Sequence, residues 1–217
     1  MVNVIADVAG RFDELMLLLD KMPKGEEVIS LGDMIDRGPK SKEVLEWFMK
    51  NGKAIFGNHE HLMLDFCRQG HYYENEAWLW NGGRKTLNSF DPTGMIPVWD
   101  VIPQEILTWV EFLPKYIEIE NCLLSHSFVR PGFTLEQACD FGDSYRDFRC
   151  DNSIIWYRDV PKRIRKYKMQ ITGHNTHMER FVDSEGEFAI CLDDSGKKKL
   201  TGIHLPSMEV FQQEYLK

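Results

Sequence analysis

Hydrophobic positions in the first third of this 217-residue chain alternate between short apolar runs and repeats of helical spacing. Val2 to Ala6 forms an apolar run, and the apolar residues after it recur every three or four positions up to Pro23. The same pattern predicts a strand at Val28 to Leu31, a helix at Ser41 to Lys50 and a strand at Ala54 to Phe56. Strands that alternate with helices indicate parallel β-α-β units.

The pattern changes in the rest of the chain. Residues 61–114 are rich in aromatic side chains with mostly helical spacing, which predicts a helical insert. From Tyr116 onwards, short apolar runs flank turn residues, which predicts β-hairpins. The paired runs are Ile117–Ile119 with Leu123–Leu124, and Phe181–Asp183 with Phe188–Leu192. We therefore expect an α/β fold in which two mixed β-sheets pack as a sandwich flanked by helices, within one domain over residues 1–217.

The composition limits the binding partners and the cellular location that we expect. The formal net charge of −8 makes nucleic acid an unfavourable main partner, because contacts to a phosphate backbone need a cationic face. A small phosphorylated substrate needs only a few local cations and is compatible with this charge. The five cysteines are scattered and none stands in a CxxC pair, so we expect reduced thiols and a cytoplasmic location without membrane attachment.

Residues of the kind that bind metals follow five of the apolar runs within a few positions. They are Asp7, Asp33, Asn58, His126 and His174. Any one of them alone would be interpreted as a helix cap, a turn residue or an ordinary histidine. In open α/β sheets, however, ligands bind beyond the carboxyl ends of the strands, so five such residues are expected to meet at one edge. Their mixed oxygen and nitrogen atoms suit two divalent ions such as manganese, iron or zinc.

Longer motifs surround these residues and carry a resemblance to a known family. They are GDMIDRG at Gly32–Gly38, GNHE at Gly57–Glu60, the segment that ends at His126, and the pair Gly173–His174. In this order they resemble the signature of the phosphoprotein phosphatase branch of the calcineurin-like metallophosphoesterases. Trp78–Gly83 and Ile154–Asp159 resemble segments of the lambda-like protein phosphatases in that branch, so the resemblance covers nearly the whole chain.

The resemblance implies a site with two divalent metal ions and a hydroxide between them that attacks phosphorus. Asp33 would bridge the two ions, and Asp7 would bind the first. The second site would be completed by Asn58, His126 and His174. We favour manganese for both positions, while iron, zinc or magnesium would also fit.

Four further side chains receive catalytic roles from the same resemblance. His59 would protonate the leaving group, and Asp36 would orient its ring. Arg37 and Arg158 would hold the phosphoryl oxygens through paired hydrogen bonds. For Arg37, a surface ion pair with Asp36 is the plainer alternative.

The chain departs from the family at the first metal site. The family motif is Asp-x-His, and the histidine position is occupied here by Ala9. In an extended strand, side chains two positions apart point to the same side, so Ala9 is expected beside Asp7, and the first ion lacks a nitrogen ligand. Such an oxygen-only site favours manganese or magnesium and binds either ion more weakly.

Three functions remain open from the sequence. We favour a metal-dependent phosphomonoesterase of the lambda-like protein phosphatase kind, acting on phosphoserine, phosphothreonine or phosphotyrosine. The alternative is a hydrolase of dinucleoside polyphosphates such as diadenosine tetraphosphate, or of other nucleotides, with adenine stacked on an aromatic side chain. The candidates for that contact, for which a place among the core aromatics of the helical insert is the stronger interpretation, are Tyr72, Tyr73, Trp78 and Trp80. The third function is non-catalytic phosphate binding, and the intact His59 and Asp36 argue against it.

Overall fold

A computed structural model describes residues 1–69, 76–98, 100–140 and 150–216 of the chain. The strands and helices follow in the order β1 (Val2–Ile5), α1 (Phe12–Lys21), β2 (Glu27–Ser30), α2 (Ser41–Asn51), β3 (Lys53–Ala54), α3 (Asn58–Gln69), a π-helical turn (Leu79–Gly83), α4 (Arg84–Phe90), α5 (Gln104–Glu111), β4 (Tyr116–Ile119), β5 (Cys122–Ser125), α6 (Leu135–Cys139), β6 (Met169–Thr172), β7 (Glu179–Asp183), β8 (Gly186–Cys191), β9 (Lys199–Leu205) and β10 (Glu209–Glu214). In the first third of the chain, these bounds lie within two residues of the predicted ones.

The strands form two mixed sheets of five strands each. The first sheet has the order β10-β9-β1-β2-β3, in which β1, β2 and β3 are parallel. The second has the order β4-β5-β6-β8-β7, in which β5, β6 and β8 are parallel. The carboxyl ends of the parallel strands therefore lie together at one edge of each sheet, where ligands bind in folds of this kind.

An apolar layer joins the two sheets. It includes Val4, Ile29 and Ile203 from the first sheet, and Leu124 and Ile171 from the second, each at most 1% exposed. Interdigitating side chains from two facing sheets are the arrangement of a β-sandwich. The predicted α/β fold of two mixed sheets flanked by helices is thus confirmed.

Helices α1 and α2 pack against the first sheet through their apolar faces. Leu15 and Leu18 of α1, like Val44 and Phe48 of α2, are fully buried. Three- and four-residue spacing places such side chains on one face of a helix, which explains why the sequence predicted these helices well. α1 packs on β9 and β10, and α2 packs on β3.

The two hairpins predicted from Tyr116 onwards are confirmed, whereas the strands between them pair in parallel. β4 with β5 and β7 with β8 are antiparallel, whereas β5, β6 and β8 run parallel to one another. Every residue of β6 is buried. Strands covered on both faces are typical of parallel sheets and lack the alternation of polar and apolar residues that marks a hairpin.

The predicted insert at 61–114 is described except at residues 70–75 and 99. Its described residues carry most of α3, the π-helical turn, α4 and α5. Tyr72 and Tyr73, two of the candidates for adenine stacking, lie outside the described residues. Within the described ranges, we find no helix of the length and apolar character needed to cross a membrane.

Phe48 offers a test of the packing of α2. Its side chain is fully buried, whereas that of Phe112 is 80% exposed. Phe48→Ala should lower the free energy of unfolding by about 3–5 kcal/mol, because it leaves a cavity in the core. Phe112→Ala is the matched control and should change it by less than about 0.5 kcal/mol. Urea unfolding measures both, and equal effects of the two changes would contradict the assigned packing of α2.

Candidate functional site

The five residues predicted to bind metals stand shortly after strand ends and are each at most 5% exposed. Asp7 follows β1, Asp33 follows β2, Asn58 begins α3 after β3, His126 follows β5, and His174 follows β6. Three of these strands belong to the first sheet and two to the second. The residues therefore meet where the edges of the two sheets adjoin, and the expectation of a single sheet edge is wrong.

The backbone at these turns has conformations that L-residues rarely adopt. Asp7, Ala9, Asp33 and His174 have φ angles of 36°, 50°, 50° and 75°, all in the left-handed region. Such conformations cost of order 1–3 kcal/mol each and cluster at functional sites. Gly57 is required for a related reason, since a Cβ there would lie 2.5 Å from both the backbone nitrogen and Oδ1 of Asp33. The chain is thus bent sharply where it presents the candidate ligands.

Backbone carbonyls fix the proton positions of the two histidines. Nδ1 of His126 lies 2.8 Å from the carbonyl oxygen of Leu31, so this nitrogen carries a hydrogen and donates it. Nε2 of His174 lies 3.2 Å from the carbonyl oxygen of Trp156 and donates in the same way. In the neutral rings, Nε2 of His126 and Nδ1 of His174 then have lone pairs without a hydrogen. Carbonyl contacts of this kind also orient histidines that bind metals.

Four atoms that accept rather than donate converge on one point. Nε2 of His126 lies 2.8 Å from Oδ1 of Asn58, 3.1 Å from Nδ1 of His174 and 3.4 Å from Oδ1 of Asp33. Among the described residues, Asp33, His126 and His174 form a group whose ligand atoms lie within 4.8 Å of one another. Lone pairs directed at one another repel, and a divalent cation relieves that repulsion. The donor set therefore fits a divalent metal ion.

Burial and neighbouring charges keep these groups in the forms that bind metals. Burial lowers the pKa of both His126 and His174, that of His174 well below its usual value, so both rings are neutral near pH 7. Burial alone would raise the pKa of Asp33, but His126, His59 and His174 hold it at about 2. The cluster thus consists of an ionised carboxylate and neutral imidazoles, as metal coordination requires.

Asp7 lies on the other side of His174. Its carboxylate accepts hydrogen bonds of 3.1 and 3.2 Å from the backbone N–H of His174. Burial raises the pKa of Asp7 well above its usual value, and the nearby carboxylates of Asp193 and Asp33 raise it further. This concentration of buried acidic groups would be stabilised by a cation.

Ala9 lies in the same cavity as Asp7, as expected, but the alternation of side chains along a strand is not the cause. Residues 7 and 9 have positive φ and lie beyond β1, so the expected alternation of an extended strand is wrong here. Both residues nevertheless line one cavity. The sharp turn, rather than strand pleating, brings the family's histidine position to the site.

His59 and Asp36 form a close pair. Nδ1 of His59 donates to Oδ2 of Asp36 over 2.5 Å, and both side chains are buried. Burial alone would lower the pKa of His59, but Asp33 and Asp36 raise it above its usual value. A histidine that is oriented by one carboxylate and can hold a proton near neutral pH has the features of a general acid.

Three residues that the sequence analysis did not single out for this purpose support Asp36. Nε1 of Trp78 donates to both carboxylate oxygens, at 3.1 and 3.0 Å, and Oγ1 of Thr86 donates to Oδ1 at 2.6 Å. Oγ of Ser41 accepts from the backbone N–H of Asp36 at 3.0 Å. Trp78 is completely buried, so its proposed stacking on adenine is wrong, whereas Trp80 is 75% exposed.

Glu60 is a further residue of the site that the sequence analysis left without a role. Its carboxylate accepts hydrogen bonds from the backbone N–H groups of Asp33, Met34 and Gly57, at 2.8 to 3.0 Å. Burial and the charge of Asp33 raise its pKa to about 7. The last residue of the GNHE motif therefore ties together the loops that carry Asp33 and Asn58, and its place in the motif was the signal that could have identified it.

The two predicted arginines occupy different positions. Nη2 of Arg37 lies 3.1 Å from Nε2 of His59, and Arg37 lines the same cavity as Asp7 and Asp33. Asp36 is bound by other residues, which opposes the plain ion pair between Arg37 and Asp36. Nη1 of Arg158 donates to the carbonyl oxygen of His174 at 3.0 Å, on the side of the second metal position.

A cavity of about 860 Å³ opens over these groups. Asp7, Asp33, His59 and Arg37 line one part of it. The remaining part includes residues far along the chain, from the turn before β9 and from the segment after β10. The cavity therefore extends well beyond the candidate metal centre.

Comparison with known proteins finds relatives with the same architecture. The chain is 31% identical over 159 residues to a Psychromonas ingrahamii protein named symmetrical bis(5'-nucleosyl)-tetraphosphatase, covering 70% of this chain and 52% of the relative. It is 27% identical over 179 residues to serine/threonine-protein phosphatase 2 of Escherichia coli, covering 78% and 74%. The chain spans about half the length of the first tetraphosphatases that it matches.

The fold is shared with a solved phosphatase structure, and the sequence matches a family. The structure of a cold-active protein-tyrosine phosphatase from a psychrophilic Shewanella superposes with a TM-score of 0.63 at 19% identity, covering 99% of this chain and 77% of that one. The family described as calcineurin-like phosphoesterase matches residues 1–191. Because that match covers most of the chain and the metal-ligand motifs lie within it, the chain belongs to the calcineurin-like phosphoesterases.

Proposed function

We propose that this chain hydrolyses dinucleoside polyphosphates at a centre of two divalent metal ions. The proposal is carried by the cavity of about 860 Å³, which Arg11, Lys197 and Lys198 line in addition to the candidate metal ligands. A concave site of this volume is typical of small-molecule ligands, and its cations suit a substrate with several phosphates. The relatives named as tetraphosphatases support the same substrate class.

The metal ions would be held by the residues that the sequence singled out. Asp33 would contact both ions, and Asp7 would hold the first. Asn58, His126 and His174 would hold the second, because their acceptor atoms converge beside Asp33. Divalent ions supply Lewis acidity towards the phosphoryl group, and we favour manganese for this mixture of oxygen and nitrogen ligands.

The side chains around the metal centre would bind the phosphoryl group and move one proton. Arg37 turns from His59 to the phosphoryl oxygens when substrate binds, and Arg158 holds them from the other side. Nε2 of His59 is then free to carry a proton towards the leaving oxygen, while Asp36 keeps the ring in place. Trp78 and Thr86 act through Asp36 as positioning residues.

The substrate class determines how strongly the rate of cleavage depends on proton donation by His59. Symmetrical cleavage of a tetraphosphate releases a nucleoside diphosphate, whose leaving oxygen already belongs to an acidic phosphate. A serine alkoxide from a phosphoprotein is far more basic and needs a proton at the moment of cleavage. The same active site would therefore depend on His59 more for alkyl phosphates than for polyphosphates.

Protein phosphatase activity, which we favoured from the sequence, is the second candidate. The observation in its favour is the similarity to serine/threonine-protein phosphatase 2, of which the chain covers 74%. Non-catalytic phosphate binding is the third. The buried His59–Asp36 pair argues against it, because a binding module has no need of an oriented proton donor.

We further propose that residues 1–217 act as one domain in a cytoplasmic setting. The candidate ligands come from both sheets, so neither sheet could form the site alone. Cys67, Cys122, Cys139 and Cys191 are free thiols, which is usual in reducing compartments, and the side chain of Cys150 lies outside the described residues.

Substrate choice can be tested by a direct comparison of two substrates with added manganese. We expect kcat/KM for diadenosine tetraphosphate to exceed that for a panel of phosphoserine, phosphothreonine and phosphotyrosine peptides by at least about tenfold. Asp33→Asn is the control for contaminating phosphatases and should be inactive on both. If the wild-type protein cleaves phosphopeptides faster, the protein phosphatase function is correct instead. No turnover of any of these substrates would support the binding module.

His59→Asn tests the proton donor. Its kcat should fall about 10²–10⁴-fold on an alkyl phosphate, and much less on para-nitrophenyl phosphate, whose leaving group needs little protonation. His177 is exposed and lies outside the cavity lining, so His177→Asn is a matched control that should retain wild-type rates on both. Equal losses by His59→Asn on both substrates would show that His59 acts in binding or folding.

Ala9→His tests the weakened first metal site. Position 9 lines the cavity with φ of 50°, a conformation that histidine tolerates better than most residues. An added imidazole ligand that contributes about 1.4 kcal/mol would lower the manganese midpoint for activity tenfold. Activity and bound manganese are titrated together after chelation. Ala9→Gly, which suits the backbone but adds no ligand, should keep the wild-type midpoint. Coincident midpoints for Ala9→His and wild type would mean that Ala9 does not face the first ion.

A further inference from the structure

The cavity contains a group of cations that have no part in the proposed bond cleavage itself. We call Arg11, Lys197 and Lys198 the cationic wall. Arg11 precedes α1, and the two lysines belong to the turn between β8 and β9. Arg11 lies more than 180 residues before the two lysines in the chain. Only the fold brings the three cations to the same cavity as Asp33 and His59.

Arg11 is held in place on two sides. Its guanidinium carbon lies 3.6 Å from the centre of the Tyr215 ring, and its Nη1 lies 3.2 Å from Oε1 of Glu14. Glu14 also accepts the backbone N–H of Leu216 at 3.1 Å, which fixes the segment that carries Tyr215. A guanidinium that is already immobilised loses little conformational freedom when it binds an anion.

The Arg11 side chain is 22% exposed, so part of its guanidinium remains available to a ligand. Its Nε is buried and has no hydrogen-bond partner among the described residues. Leaving a buried donor without a partner is unfavourable, so the side chain gains from any acceptor that a ligand brings within reach. Arg11 also lines the cavity, so a ligand there can reach it.

Lys198 is hydrogen-bonded to the segment that carries Tyr215. The backbone N–H of Tyr215 donates to the carbonyl oxygen of Lys198 at 2.9 Å. The backbone N–H groups of Lys197 and Lys198 are used within the turn, so only their side chains are available to a ligand. Lys197 is 61% exposed and lies 3.3 Å from Asp194, a distance and exposure at which an ion pair is weak and easily exchanged.

We propose that the cationic wall binds the phosphates beyond the one being cleaved and thereby selects polyphosphates over simple monophosphate esters. The inference rests on the proposed function, whose substrate carries four linked phosphates. Besides Arg37, the cavity is lined by these three cations and, outside the candidate metal centre, by one carboxylate, that of Glu214. This local excess of positive charge in a protein with a net charge of −8 points to a ligand with several negative charges. Arg11 already covers one face of the Tyr215 ring, so Tyr215 serves to hold Arg11 rather than to stack on a nucleobase.

Competition by inorganic anions tests the wall without relying on diadenosine tetraphosphate. Tripolyphosphate and orthophosphate are compared as inhibitors of para-nitrophenyl phosphate turnover, with free manganese held constant because tripolyphosphate chelates it. Wild type should bind tripolyphosphate more tightly. In Arg11→Met, the inhibition constant for tripolyphosphate should rise about tenfold more than that for orthophosphate, as expected for one lost charge-assisted contact.

Two further variants guard against a folding artefact. Arg180 forms a 2.8 Å ion pair with Glu187 away from the cavity, so Arg180→Met is the matched control and should keep the wild-type ratio of inhibition constants. The double change Lys197→Gln with Lys198→Gln affects exposed side chains and should lower the preference in the same direction as Arg11→Met. If Arg11→Met fails to fold, the double variant decides the result.

The outcomes separate this inference from the proposed function. Equal weakening of both inhibitors, an unchanged ratio in the variants, or no preference for tripolyphosphate in wild type would each overturn the role of the cationic wall. A selective loss of tripolyphosphate binding in a protein that does not cleave diadenosine tetraphosphate would support the wall and refute the proposed substrate. Cleavage of diadenosine tetraphosphate with an unaltered kcat/KM in all wall variants would support the substrate and refute the wall.

Discussion

The structure depends on a cluster of acceptor atoms that stabilise one another only around a cation. Nε2 of His126 lies 2.8 to 3.4 Å from acceptor atoms of Asn58, His174 and Asp33, with no hydrogen between them. The carbonyl oxygens of Leu31 and Trp156 hold the two rings so that neither can turn its N–H inward. Because these residues follow strands of both sheets, the cluster exists only where the two sheets are packed together.

The sequence predicted the parts of this arrangement that follow from local rules. A candidate ligand after each of these apolar strands is visible because parallel strands end in the same direction. The motifs around Asp33 and Asn58 indicated the family to which the chain belongs. The division of the ligands between two sheets was not predictable, since strand pairing is set by contacts far apart in the chain. The position of Ala9 was predicted for the wrong reason, because the tight turn at Asp7 has no signature in a strand pattern.

The side chains that bind Asp36 show most clearly what could not be predicted from the sequence. Trp78 and Thr86 lie 42 and 50 residues after Asp36, in a region where aromatic residues indicate only a helical core. Their donors are directed at Asp36 because the π-helical turn approaches it closely. A Cβ at Gly82, with φ of 116°, would lie 2.8 Å from the backbone nitrogen of Arg37. The predicted insert is therefore also the element that positions Asp36 and, through it, the proposed proton donor His59.

The left-handed residues around the site have a consequence for how this protein could change over time. Asp7, Ala9, Asp33, Asp36 and His174 each hold a conformation that costs about 1–3 kcal/mol, against a net stability of about 5–15 kcal/mol for a typical domain. Relaxing any of these turns would be expected to raise thermal stability while moving a residue of the candidate site. Selection for thermal endurance alone would therefore be expected to remove the candidate metal centre first and leave the sandwich behind as an inert scaffold.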